Sequence, residues 1–188
     1  MGNRGCLHDA HRRIRRTFVG TRWIICVLQF KGRRRPVMAP GRYTELFFLD
    51  EATALAAGHR PCVECQRARF ARFREHWRAA NPWPAGRAGP SAADLDAALH
   101  AERLHGRGRR RTHTARASAL PAGAMIADGA GRAYLVHGDH LLRWAPDGYG
   151  EGIARPSAEV IVLTPASVVR ALADGYPVAV HATARALT

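Results

Sequence analysis

Lysine is nearly missing from this chain: of its 29 basic residues only Lys31 is a lysine, and the rest are arginine. Acidic residues are also scarce, 15 in 188, which leaves a formal net charge of +14. Long apolar runs are absent. The best stretch, Trp23 to Leu28, is six residues long, against the roughly 18 to 20 that a membrane span needs. The opening segment MGNRGCLHDAHRR has no apolar core of the kind a secretory signal requires. A cytoplasmic protein with no membrane partner is therefore expected. Disorder is excluded by composition, since 47% apolar and 23% charged residues fall in the globular range. The length suits one domain, or a small pair sharing one core.

The positive charge is unevenly placed. Residues 1–80 carry 17 basic and 6 acidic side chains, residues 81–118 carry 7 and 3, and residues 119–188 carry 5 and 6. GC-rich codon usage would raise arginine, alanine, glycine and proline everywhere, and it leaves the neutral C-terminal third unexplained. Arginine also differs from lysine in presenting a planar fork that suits phosphate and carboxylate.

Punctuation and periodicity predict an α+β protein in three segments: 1–80, 81–118 and 119–188. Trp23 to Phe30 and Glu45 to Leu49 read as short strands. Asp50 is a good N-cap for a helix ending at Gly58. Residues 63–80 have helical character, with Phe70, Phe73 and Trp77 forming one apolar stripe. Three prolines and two glycines make residues 81–90 a linker or rigid loop, after which Ser91 caps a helix through about His105. Beyond Ser118, the runs AMIA, AYLV, HLLRW and Glu159 to Leu163 predict mostly antiparallel strands joined by Asp-Gly and Gly-Asp turns. A helix follows, starting at Thr164 or Ser167 and stopping at Gly175, and PVAVHA (177–182) reads as a last strand.

Four cysteines carry the chemistry: Cys6, Cys26, Cys62 and Cys65. In a chain without an export signal, metal binding is favoured over a disulfide framework. Cys62-Val63-Glu64-Cys65 places two thiolates on a turn before a helix, where both can reach one Zn2+ and the helix N-terminus favours the anionic form. Tetrahedral zinc needs two more ligands, and Cys6 with His8 is the preferred pair. His11 is an alternative to His8. Cys26 is the other thiol, but its strand is apolar on both sides, so it reads as a small buried hydrophobe.

The stretch ELFFLDEATALAAGHRPCVECQ (45–66) resembles the C-terminal half of the zinc module in bacterial Ada-type DNA-alkylation response proteins. In that family a short strand and helix lead through Ala-Leu-Ala-Ala-Gly and Arg-Pro-Cys to the last two zinc cysteines. The resemblance implies that Cys62 and Cys65 bind zinc and that the chain has an affinity for nucleic acid. The family's other two ligands come from a C-x-x-x-C, one cysteine of which accepts a methyl group from DNA. This chain has no C-x-x-x-C, and Cys6 lies 56 residues before Cys62.

Around this motif lie basic clusters containing Arg12, Arg13, Arg15 and Arg16, then Arg33, Arg34 and Arg35, then Arg67 on the helix after Cys65, and a further run at 107–111. Together with Trp23, Phe70 and Trp77 they predict a surface for DNA or RNA, with no base-reading motif. Of two lesser clusters, His137-Gly138-Asp139-His140 offers a catalytic or metal reading but looks more like a hairpin turn, and Asp96/His100/Glu102 offers a second such reading that a solvated helix face explains equally well. The reading is a zinc-binding protein with an arginine-rich nucleic-acid surface rather than an enzyme. The alternatives are a zinc thiolate, most plausibly Cys6, that accepts an alkyl group, and a zinc-stapled fold with no nucleic-acid role.

Overall fold

The computed structural model describes residues 1–33, 36–106 and 108–185. In chain order its elements are β1 (Gly2–Asn3), β2 (Ile24–Ile25), α1 (Glu51–Ala56), β3 (Arg60–Pro61), α2 (Arg67–Ala80), α3 (Ala92–Arg103), β4 (Leu104–His105), β5 (Arg109–Arg110), β6 (His113–Arg116), β7 (Met125–Ala127), β8 (Ala133–His137), β9 (His140–Ala145), β10 (Gly148–Ala154), β11 (Glu159–Val162), α4 (Ala166–Ala173) and α5 (Ala182–Arg185). The α+β class holds. Six strands form an antiparallel sheet in the order β10-β9-β8-β7-β11-β6, and β1-β2-β3 form a small separate sheet. Among the described residues no helix is long and apolar enough to cross a membrane.

The large sheet explains why β7 and β8 are apolar without alternation. Side chains alternate between faces along a strand, and here both faces are covered. Ile126, Tyr134, Val136 and Leu141 point into one cluster with Phe70, Phe73 and Trp77 of α2, Leu95 and Leu99 of α3, and Val168 and Leu172 of α4. Met125, Leu135, Leu142 and Tyr149 point into a second with Ala52, Ala56 and Ala184. The first cluster draws on all three sequence segments, so one core is shared. The β8–β9 hairpin pairs His137 with His140 across Gly138-Asp139. Gly138 adopts φ +53°, a left-handed conformation that glycine takes without steric cost. The His-Gly-Asp-His run is thus a turn.

Two helix starts are capped as the sequence implies. Asp50 accepts the Thr53 N–H at 2.8 Å, and Ser91 with Asp94 forms a reciprocal capping box on α3. Other boundaries differ. Of Trp23 to Phe30 only Ile24–Ile25 pairs as a strand, because its partners β1 and β3 are each two residues long. Of Glu45 to Leu49 only Leu46 bridges, to Gly2. Residues 177–181 form no strand. Two of their N–H groups go to carboxylates instead: Ala179 donates to Glu51 Oε2 at 2.9 Å and His181 to Asp50 Oδ2 at 2.9 Å. Tyr149 and Tyr176 donate their hydroxyls to the same two acids, so the start of α1 ties the C-terminal segment to the N-terminal one.

Arginine also enters the interior. Arg60 is 1% exposed and donates through Nε and Nη2 to Asp96 of α3 at 2.9 and 2.8 Å. Its third partner is its neighbour's carbonyl, Pro61 O, at 3.0 Å. Arg103 is buried and donates to the carbonyls of Gly58 and Thr21. Gly58 has φ +80°, and a Cβ there would meet Arg103 Cδ at 2.7 Å, so both the turn and the close approach require glycine. Glu102 accepts the Ser167 N–H and hydroxyl at the start of α4. Asp96 and Glu102 are therefore tied into the fold, where the sequence allows a solvated face equally well.

Removing one partner of a buried ion pair leaves the other charge uncompensated. Asp96→Ala is expected to lower the unfolding free energy by about 3–5 kcal/mol, while Arg60→Met with Asp96→Leu recovers most of the loss. Denaturant midpoints of the three proteins check this.

Candidate metal centre

The site is built by a parallel strand pair. β2 and β3 run side by side with Ile24 opposite Arg60 and Ile25 opposite Pro61. The next residue on each is a cysteine, and the Cys62 N–H donates to Ile25 O at 2.9 Å. Beyond Cys62 the chain turns: the Gln66 N–H returns to Cys62 O at 3.1 Å, and α2 begins at Arg67. The Gln66 side chain donates to Ile25 O at 2.9 Å and clamps the turn onto β2. Cys65 lies within this turn.

As a result, the sulfur atoms of Cys26, Cys62 and Cys65 all lie within 4.8 Å of one another. Three thiolates bound tetrahedrally at about 2.3 Å from one zinc would stand about 3.8 Å apart, so the group closes on an ion with a small inward shift. Cys62 is buried, and Cys26 and Cys65 are half-buried. Among the described residues no further His, Cys, Asp or Glu joins the group.

The three thiols are not equivalent. A hydrogen bond from the Cys26 thiol, supported by the N–H groups of Cys65 and Glu64, pulls the Cys62 thiol down to about 5. The Glu64 N–H stands 3.4 Å from Cys62 Sγ. The same hydrogen bond to Cys62 and burial push the Cys26 thiol up, and burial pushes Cys65 up.

Cys62 and Cys65 come together as the C-x-x-C spacing implies. Cys6 and His8 do not join them. His8 is buried with both ring nitrogens engaged, Nδ1 with Thr44 Oγ1 at 2.6 Å and Nε2 with Ala39 O at 3.3 Å. Cys6 Sγ lies 3.5 Å from His8 O. His11 is exposed, its N–H donating to Asp9 Oδ1. Cys26, read from sequence as a small hydrophobe, supplies the third sulfur. What hid it is the non-local pairing of β2 with β3. The local signal is a cysteine where the apolar run leaves its strand.

The predicted nucleic-acid residues lie on the surface. Arg12, Arg13, Arg15, Arg16, Arg33 and Arg67 are exposed. Arg33 pairs with Glu64 at 2.9 Å beside the cysteine turn, and Arg15 stands 3.9 Å from Asp9. Arg34 and Arg35 lie outside the described residues.

Comparison with models of known families, with curated proteins and with solved structures finds no match to this chain.

Loss of a thiolate ligand removes both a bond and part of the folded site. Cys26→Ser is expected to weaken zinc affinity by about 100-fold or more, and Cys6→Ser by less than about threefold, read by competition with a chromophoric chelator. Because Cys26 and Cys65 carry raised thiol pKa values and must deprotonate to bind, affinity rises with pH. Protons should be released on zinc binding near neutrality, measured by calorimetry in buffers of different ionisation enthalpy.

Proposed function

We propose that Cys26, Cys62 and Cys65 hold a structural Zn2+ and that the arginine-rich surface beside it binds DNA or RNA. The observation that carries this reading is the placement of the cysteine group at the start of α2. The resemblance of residues 45–66 to the Ada-type zinc module supports it. In keeping with that resemblance, α1, Gly58 and the Arg60-Pro61 strand lead directly into Cys62. Zinc here would cross-link β2 to the turn before α2, and its binding free energy would count as folding free energy.

The outward side of α2 supports the nucleic-acid part. Phe70, Phe73 and Trp77 face the core, while Arg67, Arg72, Arg74 and Arg78 are exposed. Arg67, Arg74 and Arg78 are spaced i, i+7, i+11, which puts them within a narrow sector of one helix face and spreads them along about 16 Å. Such a row can follow successive phosphates and release their counterions. A zinc-bound Cys6 that accepts an alkyl group is no part of the proposal, since Cys6 stands outside the sulfur group.

If Arg67, Arg74 and Arg78 each meet a phosphate, changing all three to Gln lowers the slope of log affinity against log salt by about 2 to 3. Titration of a labelled duplex and a single strand at several salt concentrations reads this. A slope unchanged by the triple variant counts against the α2 surface. Binding that does not respond to salt at all counts against nucleic acid as the partner.

A further inference from the structure

A second concentration of arginine lies away from the cysteines, in a cleft of about 290 Å³. Its charged lining is Arg4, Arg103, Arg110 and Arg111, with Trp23 and Phe18 among its apolar walls. Among the described residues no carboxylate lines it and no salt bridge engages any of the four. Asp96 is near Arg103 in charge terms, but both its oxygens are taken by Arg60.

The four guanidiniums are held rather than free. Arg103 is 5% exposed, and its guanidinium lies 4.0 Å from the centre of the Trp23 ring. Arg4 sits over the same ring at 4.6 Å. Arg110 donates to Ala56 O at 2.8 Å and Leu163 O at 2.9 Å, and Arg111 to Ala101 O at 3.0 Å. The buried Nε atoms of Arg4 and Arg103 have no hydrogen-bond partner. Burial, with Arg4 and Arg60 nearby and partly offset by Asp96, pushes Arg103 down to about 10. Burial and then Arg110 hold Arg4 below its usual range. Arg103 is buried and Arg4 half-buried, while Arg110 and Arg111 are exposed; two like charges withdrawn from water with donors left over are costly unless an anion completes them.

We propose that this cleft binds a phosphate dianion, either free phosphate or the phosphomonoester end of a nucleic-acid strand. A carboxylate brings one charge and two oxygens. A phosphomonoester brings nearly two charges and three free oxygens, which suits several guanidinium forks at once. The volume is at the small end for ligand sites, and Trp23 is already engaged by two guanidiniums, so the cleft holds a phosphoryl group and not a stacked base. The site does not rest on the nucleic-acid reading of α2, whose arginines line none of it.

Isothermal titration of the full chain tests this with inorganic phosphate, a 5′-phosphorylated trinucleotide and its 5′-hydroxyl counterpart. Saturable one-site binding of inorganic phosphate supports the free ion as ligand. Binding of the 5′-phosphorylated trinucleotide alone supports the strand end. In either case Arg4→Gln and Arg111→Gln should each weaken binding about tenfold or more, and Arg143→Gln, exposed on β9 outside the cleft, should not. Arg111 is exposed, so its variant keeps the test valid should Arg4→Gln fail to fold. No saturable binding by either phosphate ligand, equal binding of the 5′-hydroxyl trinucleotide, or affinities unchanged in both variants would overturn the proposal.

Discussion

Arg60 is withdrawn from water, and its forked pairing with Asp96 fixes β3 against α3. The residue beside it in β3 is Pro61, and the next is Cys62, so the position of the cysteine turn follows from where that guanidinium is anchored. β2 lies parallel to β3, and its register delivers Cys26. A buried ion pair is weak evidence for stability in itself. Here it has a positional consequence, since a shift of β3 by one residue would move Cys62 away from Cys26. Around this frame His59 is fully buried between Trp23 and Phe48, with ring centres at 5.4 and 4.8 Å. Burial, then Arg4 and Arg103, hold it down to about 3, so it stays neutral and adds no charge to an already cationic region.

The net charge of +14 divides by location. One set of arginines serves the fold: Arg60 and Arg103 tie loops and helices through the core, Arg69 holds Glu51, and Arg155 donates to the carbonyls of Gly138, Ala117 and Leu120. A guanidinium reaches several carbonyls at once and is weakly hydrated, which suits it to this work better than lysine. A second set, on α2 and in the 12–16 segment, faces solvent. A third, which shares Arg103 with the first, lines the cleft.

Local signals were read well wherever the physics is local. Asp50, Ser91 and the apolar stripe of α2 are governed by capping and periodicity, and the Gly138-Asp139 hairpin by turn chemistry. Non-local pairing was the gap. Cys26 looked like a core residue because an apolar run says nothing about which strand lies beside it. Residues 177–182 alternate as a strand does, yet Glu51 and Asp50 take the N–H groups of Ala179 and His181. Arg60 and Arg103 could not be told from surface arginines, since burial of a charge depends on a partner supplied by a distant segment. Of the site, the C-x-x-C half was legible and the third sulfur was not.

The central claim is that one zinc ion is held jointly by β2 and the turn before α2. An anomalous-difference map at the zinc edge, from crystals of the zinc-loaded protein, tests it most directly. The account predicts a single peak about 2.3 Å from the sulfur atoms of Cys26, Cys62 and Cys65. A peak bonded to Cys6 or His8, or no peak beside Cys26, would contradict it.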